Sequence, residues 1–251
     1  MRVNRVKQKL QQGQCATIVS GHHNTDMIDF LGQFGMDGVW LEGEHGPIGW
    51  EQLGDMSRAC DLWGMTSITR INKNDAGLIL RTLDRGSMGI VVPHVSSREA
   101  AEQVVQAAKF APIGCRGMFG GRQSYGVSDY FQRANEQTLI VVLIEEIEAV
   151  NNLADILKVD HIDVFFVAPS DLAQTMGHIG HHTHPEVQAT IDRALEQIVA
   201  AGKTAGTLVT DDNVERYVAA GVRCLMVSWA SWVAQGYREF QRKVAAKAAA
   251  R

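Results

Sequence analysis

The stretch Thr138-Leu-Ile-Val-Val-Leu-Ile-Glu145 joins a run of large and β-branched apolar residues directly to a carboxylate. Such a run favours a buried strand, and an ionised group at its tip must be paired, solvated or bound to a cation. Asp171 also follows an apolar run, and His45 and Arg70 follow or end two earlier ones. Catalytic residues of β/α barrels come from the carboxyl ends of several strands. The pattern therefore predicts a metal-bearing active site at one end of a barrel.

Strand-like runs alternate with helix-like segments along the whole chain. Helical spacing of apolar residues is clear in segments 50–63, 98–110 and 185–201, and Asn24, Asn74 and Ser97 are candidate helix caps. Alternation of this kind is typical of a parallel α/β fold. We predict a (β/α)8 TIM barrel whose strands cover residues 16–20, 38–41, 66–71, 89–95, 138–144, 163–167, 203–209 and 223–227.

The length and composition fit one barrel. The chain has 251 residues, of which 45% are hydrophobic and 21% charged, so we expect a single domain over residues 1–251. A formal net charge of -4, without a concentrated basic stretch, argues against nucleic acid as a partner. The start lacks the apolar centre of a secretory signal, and no later run is long enough to cross a membrane, so we expect a cytoplasmic protein.

The side chains of Glu145 and Asp171 offer oxygen ligands of the kind that Mg²⁺ and Mn²⁺ prefer. The alternative is a pair of strand-end carboxylates that are solvated or bound to Arg. Glu146 competes with Glu145 for the ligand role, but successive side chains of an extended strand point to opposite faces. We therefore expect Glu145, and not Glu146, to face the barrel axis.

Arg70 and His45 are candidates for charge stabilisation and proton transfer. A guanidinium at the end of a buried strand is costly unless it meets an anion, either a substrate carboxylate or enolate, or Glu42 in a structural ion pair. His45 lies in a turn where an imidazole would reach the barrel mouth, and histidine is a natural general base near neutral pH. Lys73, just beyond Arg70, is the one thin candidate for Schiff-base chemistry.

Two loops are notable. The Gly-rich segment 112–130 carries Arg116 and Arg122 and is long enough to be a lid or a subunit contact. Four histidines lie close together at His178, His181, His182 and His184. Their Gly-rich setting before a helix favours an exposed loop over a metal site, so we rank this cluster below His45.

Several segments in chain order resemble the HpcH/HpaI family of metal-dependent aldolases. They span residues 35–202 and include Leu41-Glu-Gly-Glu-His-Gly-Pro, Ile68-Thr-Arg-Ile-Asn, Leu83-Asp-Arg-Gly, Val91-Val-Pro-His-Val, Pro112-Ile-Gly-Cys-Arg-Gly, Glu148-Ala-Val-Asn-Asn and Val167-Ala-Pro-Ser-Asp-Leu.

This resemblance implies a class II aldolase, a lyase that reversibly cleaves a 4-hydroxy-2-oxo acid to pyruvate or hydroxypyruvate and an aldehyde. The divalent metal, Mg²⁺, Mn²⁺ or Co²⁺, would be held by Glu145 and Asp171 and would chelate the donor. Arg70 would stabilise the enolate, and His45 with Asp84 would serve as the base through a water.

The resemblance further implies that the backbone of Ser170 lies against the donor carboxylate, and that the protein is a homo-oligomer, usually a hexamer with an exchanged last helix. Asp84 ends a predicted helix at the amino-terminal side of the barrel, so we expect it to reach His45 only across a subunit boundary. The sequence departs from the family pattern at Glu42, Leu143 and 228–231, and the first two of these touch the donor pocket.

Three rival readings remain open at this point. One is a coenzyme A ester lyase of the citrate lyase beta type, for which no basic cluster suited to the nucleotide is evident. Another is a Schiff-base aldolase that uses Lys73. The third is a non-catalytic barrel that serves only in assembly, which would leave four polar strand ends unexplained.

Overall fold

The computed structural model describes residues 1–248 and confirms the predicted (β/α)8 barrel. Eight strands pair in parallel in chain order, and the last returns to pair with the first. The strands are β1 (Ala16–Ser20), β2 (Gly38–Glu42), β3 (Thr66–Arg70), β4 (Gly89–Val92), β5 (Leu139–Ile144), β6 (Val164–Val167), β7 (Ala205–Leu208) and β8 (Cys224–Ser228).

Helices follow the strands on the outside of the barrel, and α1 precedes β1. Their bounds are α1 (Arg5–Gln11), α2 (Thr25–Gly32), α3 (Trp50–Leu62), α4 (Ala76–Asp84), α5 (Arg98–Ala108), α6 (Tyr130–Gln137), α7 (Ile147–Asn151), α8 (Leu153–Ile156), α9 (Pro169–Thr175), α10 (Pro185–Ala200), α11 (Val214–Ala219) and α12 (Trp229–Ala248).

The strand β4 is shorter than its apolar run predicts. The run continues to Val95, but the strand ends at Val92. Pro93 has no N–H for a sheet hydrogen bond, and His94 has a left-handed backbone with φ of 55°. The chain therefore leaves the barrel wall just before residue 94 and turns over the mouth.

Two of the three predicted helix caps are present. The side chain of Asn24 accepts the N–H of Met27 at 2.8 Å, and Ser97 accepts that of Ala100 at 3.2 Å. The prediction for Asn74 was wrong, because Asp75 caps α4 and the Asn74 amide instead donates to a carbonyl of α5. Adjacent Asn and Asp residues are both good caps, and sequence alone does not separate them.

The helix α1 closes the amino-terminal end of the barrel. Its side chains Val6 and Leu10 belong to the cluster that fills the barrel interior. Lys7 Nζ lies 2.8 Å from Asp163 Oδ1 and 2.9 Å from the carbonyl of Thr138, which fixes the helix to the start of β5 and the turn before β6. The barrel therefore opens to solvent at the carboxyl ends of its strands.

The loop between α5 and α6 is tied to the amino-terminal side of the barrel by two buried arginines. Arg116 Nη2 lies 2.7 Å from Asp84 Oδ1, and Arg122 Nη1 lies 2.6 Å from Asp61 Oδ2. The loop nevertheless leaves large apolar side chains exposed, namely Met118, Phe119 and Tyr125. The base of the loop is therefore anchored on the side of the barrel opposite the carboxyl ends of the strands.

The last helix, α12, runs for 20 residues without burying any of them within the described chain. It exposes an apolar stripe formed by Val233, Tyr237, Phe240 and Val244. Spacings of three and four residues place these side chains on one face of a helix. No helix in the part of the chain that the structure describes is long and apolar enough to cross a membrane.

Candidate active site

A cavity of about 410 Å³ opens where the strands end. It brings together four residues predicted from the sequence, His45, Arg70, Ser170 and Asp171. The remaining lining residues come from the ends of β1, β2, β6, β7 and β8 and from the turns that follow some of them: Ser20, Gly21, His22, Trp40, Glu42, Gly46, Phe166, Ala168, Pro169, Leu208 and Met226. The floor is aromatic, since the rings of Trp40 and Phe166 lie 5.3 Å apart.

The carboxylate of Glu145 is buried at the end of β5, with 1% of its side chain exposed. Its Oε1 accepts the backbone N–H of His94 at 2.8 Å, whereas Oε2 has no hydrogen-bond partner among residues 1–248. Burial raises the pKa of Glu145 above its ordinary value, and the nearby charges of Asp171 and Glu44 raise it further, against the lowering effect of His94. The surrounding side chains therefore do not compensate the negative charge of the Glu145 carboxylate.

These features fit a bound cation. A buried carboxylate oxygen without a partner is costly, and a second carboxylate, Asp171, is close enough to repel it. Oxygen ligands favour hard divalent ions, and two protein ligands leave positions for water and substrate. Glu145 and Asp171 are therefore residues whose chemistry suits such an ion.

The guanidinium of Arg70 binds two carboxylates that the chain supplies itself. Its Nε and Nη2 lie 2.9 Å and 2.8 Å from Glu42 Oε2, and its Nη1 lies 2.8 Å from Glu44 Oε2. The structural pairing with Glu42 is thus present. Arg70 keeps donors for a ligand, because a guanidinium has five N–H groups and only that of Nε hydrogen-bonds to these carboxylates, while Nη1 and Nη2 meet them as ion pairs.

Glu42 holds the turn that carries His45. Its Oε1 accepts the backbone N–H groups of Glu44 at 2.9 Å and His45 at 3.0 Å. Burial opposes ionisation of Glu42, but the hydrogen bonds and charge of Arg70, together with these two N–H groups, outweigh it and lower its pKa. The His45 ring itself is exposed, and its Nε2 lies 3.9 Å from Glu44 Oε2. His45 is therefore free to meet a ligand in the cavity.

His94 is a residue of this site that sequence reasoning missed. Its ring Nδ1 lies 3.0 Å from Glu146 Oε1 and 3.6 Å from Glu145 Oε1, and its Nε2 lies 3.7 Å from Glu44 Oε1. A left-handed backbone at a residue other than glycine is uncommon and occurs often at functional sites. Here it aims the N–H of His94 at Glu145. The sequence feature that could have drawn attention to His94 is the preceding Pro93, which interrupts a strand-like run.

Other predicted residues lie elsewhere. Neither Glu145 nor Glu146 is among the residues that line the cavity, and Glu146, which directly precedes α7, bonds to the His94 ring and the hydroxyl of Ser96. Lys73 is exposed and does not line the cavity. Asp84 ends α4 at the amino-terminal side of the barrel and pairs with Arg116, so it does not reach His45 within one subunit.

Comparison with known proteins agrees with this geometry. The sequence pattern of the family described as HpcH/HpaI aldolase/citrate lyase matches residues 18–231. A hydroxypyruvate/pyruvate aldolase of Pseudomonas aeruginosa is 34% identical over 233 residues, which cover 88% of this chain and 87% of that protein. A 4-hydroxy-2-oxo-heptane-1,7-dioate aldolase of Shigella sonnei is 34% identical over 198 residues, or 77% of this chain and 76% of that protein.

A solved structure shares the fold over nearly its whole length. The crystal structure of an HpcH/HpaI aldolase/citrate lyase family protein from Burkholderia cenocepacia J2315 superposes with a TM-score of 0.89 and 27% identity. The match covers 96% of this chain and 99% of the other. Together with the match over residues 18–231, it confirms the resemblance seen in the motifs: this chain belongs to the HpcH/HpaI aldolase/citrate lyase family.

Proposed function

We propose that this protein is a metal-dependent class II aldolase that cleaves a 4-hydroxy-2-oxo acid, reversibly, to pyruvate or hydroxypyruvate and an aldehyde. Aldolase function itself, and with it the lyase class, follows from relatives of that name at 34% identity over most of the chain. The observation that supports the metal-dependent form is the unpartnered, buried Oε2 of Glu145 beside Asp171. The nature of the donor is inferred from the names of those relatives.

Cleavage breaks the C3–C4 bond, transfers its electrons to the 2-oxo acid fragment as an enolate, and removes the proton of the C4 hydroxyl. The N–H groups of Arg70 not used by Glu42 and Glu44 are available to the enolate oxygen. His45 at the cavity is available to accept the hydroxyl proton through a water and to return a proton to C3 of the enolate, which completes the 2-oxo acid product. Ser170 lies in the first turn of α9, where backbone N–H groups are free to meet the donor carboxylate.

A divalent ion held by Glu145 and Asp171 would supply Lewis acidity to the developing enolate. Arg70 shares that task, and Glu42 keeps Arg70 and the turn of His45 in fixed relation. The aromatic floor formed by Trp40 and Phe166 limits water below the reacting atoms. Catalysis in this scheme depends on charge stabilisation and not on a covalent intermediate. Lys73, the candidate for such an intermediate, is exposed and does not line the cavity.

The first test is removal of the metal. EDTA treatment is expected to abolish cleavage of a 4-hydroxy-2-oxo acid, and Mg²⁺, Mn²⁺ or Co²⁺ is expected to restore it, because no lysine in the cavity replaces the cation. Pyruvate release is followed with a coupled dehydrogenase. Borohydride added with substrate should leave the mass of the protein unchanged. A reduced adduct on Lys73, or full activity after EDTA, would contradict the metal-dependent mechanism.

We further propose a homo-oligomer in which the last helix is shared and Asp84 acts in the site of a neighbouring subunit. Two features support this: α12 buries none of its residues in its own subunit, and Asp84 lies on the side of the barrel away from His45. A hexamer is the expected size, by resemblance to the family. The cytoplasmic location stays a prediction.

Mixed oligomers test the role of Asp84. Inactive His45→Ala subunits and inactive Asp84→Ala subunits, unfolded and refolded together, are expected to recover part of the activity, because some interfaces then pair an intact His45 with an intact Asp84. Each variant refolded alone should stay inactive. Mass spectrometry establishes that mixed oligomers form. Mixed oligomers as inactive as the single variants would rule out action of Asp84 across the interface.

A further inference from the structure

The loop that joins α9 to α10 brings together two imidazoles and a carboxylate outside the active site. One ligand atom from each of His178, His184 and Glu186 lies within 4.8 Å of the other two. The His178 and His184 rings stack, with centroids 3.8 Å apart and an interplanar angle of 17°. His178 Nε2 lies 3.0 Å from Glu186 Oε2. We propose that these three residues form a second metal site, specific for a transition-metal ion such as Zn²⁺, Co²⁺ or Ni²⁺.

The ligand types decide which metal the site would take. Imidazole nitrogen combined with one carboxylate suits Zn²⁺, Co²⁺ and Ni²⁺, whereas Mg²⁺ prefers oxygen ligands alone. Bonds of about 2.0–2.2 Å to a common ion place ligand atoms within about 4 Å of one another, so the ligand atoms need to approach by about 1 Å, and the stacked rings must rotate until both lone pairs point at the ion. This site therefore disfavours Mg²⁺, which suits the carboxylate pair of Glu145 and Asp171.

The backbone holds the loop in place before any ion binds. His178 N–H donates to the Ala173 carbonyl at 2.7 Å, which ends α9. Further along, the N–H of His181 donates to the carbonyl of His178, and that of His184 to the carbonyl of His181, each at 2.9 Å. Gly177 and Gly180 supply left-handed turns with φ of 83° and 77°. Little backbone ordering is therefore left for the metal to impose.

One nitrogen of the cluster is only weakly engaged by the protein. His184 Nδ1 now accepts the N–H of Glu186 at 3.3 Å, a long contact that a metal bond can replace. The amino terminus of α10 disfavours a cation, and the Glu186 carboxylate opposes that effect.

An occupied site would join the end of α9 to the start of α10. The helix α9 carries Ser170 and Asp171 in its first turn, and His178 follows its last residue by a short turn. The ion would thus stabilise the segment that presents one wall of the active-site cavity. Its role is structural: it fixes the loop and takes no part in proton or carbon transfer.

The test removes the other metal site first. In a Glu145→Gln, Asp171→Asn background, treated with EDTA and kept in excess Mg²⁺, calorimetric titration with Zn²⁺ is expected to show one ion per chain with a micromolar or tighter dissociation constant. Adding His178→Ala and His184→Asn should abolish this binding and the accompanying rise in Tm. Asn at position 184 retains a helix cap, so loss of α10 is not an explanation.

Matched variants make the outcome decisive. His182→Ala removes an exposed histidine of the same loop that is not one of the three ligands, and it should leave Zn²⁺ binding unchanged. Glu186→Gln keeps the size of the side chain but removes its charge, and should weaken binding measurably. Absence of Zn²⁺ binding in the background protein, or equal binding after His178→Ala with His184→Asn, would overturn the proposal. The result does not depend on whether Glu145 and Asp171 hold the catalytic metal. The quantity measured is the Zn²⁺ binding that disappears when His178 and His184 are replaced.

Discussion

Glu145→Gln is expected to weaken Mg²⁺ or Mn²⁺ binding by more than the 10- to 100-fold typical of an outer-shell partner, and to remove most aldolase activity at ordinary metal concentrations. Glutamine fills the same space but lacks the charge that the buried Oε2 would give to a cation. Metal binding is measured by calorimetry on EDTA-treated protein, and kcat with saturating metal. Asp171→Asn is expected to act in the same direction.

The matched control for Glu145 is its neighbour. Glu146→Gln changes a carboxylate that bonds to the His94 ring and the Ser96 hydroxyl but leaves the backbone N–H that His94 donates to Glu145, so metal affinity should change little. A second measurement separates a ligand from a structural residue. Because a buried carboxylate without a partner destabilises the metal-free fold, Glu145→Gln should be at least as stable as the parent without metal, yet gain no Tm when metal is added. Equal loss of affinity in both variants, or a normal gain of Tm in Glu145→Gln, would show that Glu145 is not the ligand.

Arg70→Lys is expected to lower kcat on the order of 10²-fold or more while the barrel stays folded. A guanidinium holds Glu42 and Glu44 and still has N–H groups for the enolate. An ammonium has three donors on a single nitrogen, so the same two carboxylates take two of them and the geometry toward the cavity is lost. The loss should appear in kcat more than in KM, because the charge that Arg70 meets develops in the transition state.

Two controls qualify the Arg70 experiment. Circular dichroism and Tm show whether the ion pairs with Glu42 and Glu44 were needed for folding. Glu44→Gln tests the pairing itself, since it removes one partner of Arg70 without touching the guanidinium. Near-normal kcat in Arg70→Lys with an intact fold would return Arg70 to a purely structural role.

The fold was readable from the sequence because buried parallel strands leave continuous apolar runs. β1 ends at the predicted residues, and β5, whose side chains are all buried, begins one residue late. The error at β4 has a specific cause, the left-handed backbone of His94. Pro93 marks the interruption, but the sequence around His94 does not indicate a positive φ, and the apolar Val95 makes the run look longer than the strand.

Single polar residues at strand ends could be predicted as site residues from the sequence. Contacts between residues at the ends of different strands could not. Glu145, Asp171, Arg70 and His45 could be nominated one at a time, each from an apolar run that stops at a polar residue. The contacts of Glu44 with Arg70 and His94 could not, because they join the ends of three different strands. Pairings between residues far apart in sequence exist only once the barrel has closed.

The closed amino-terminal end of the barrel has a consequence for the order of events during turnover. Since α1 fills that end with Val6 and Leu10, both fragments of a cleaved substrate must depart through the mouth by which it came. In the proposed mechanism the 2-oxo acid fragment is held by Arg70 and the first turn of α9, and the aldehyde fragment lies nearer the mouth. We therefore expect the aldehyde to leave first and, in the synthetic direction, the 2-oxo acid to bind before the aldehyde, as in an ordered sequential scheme.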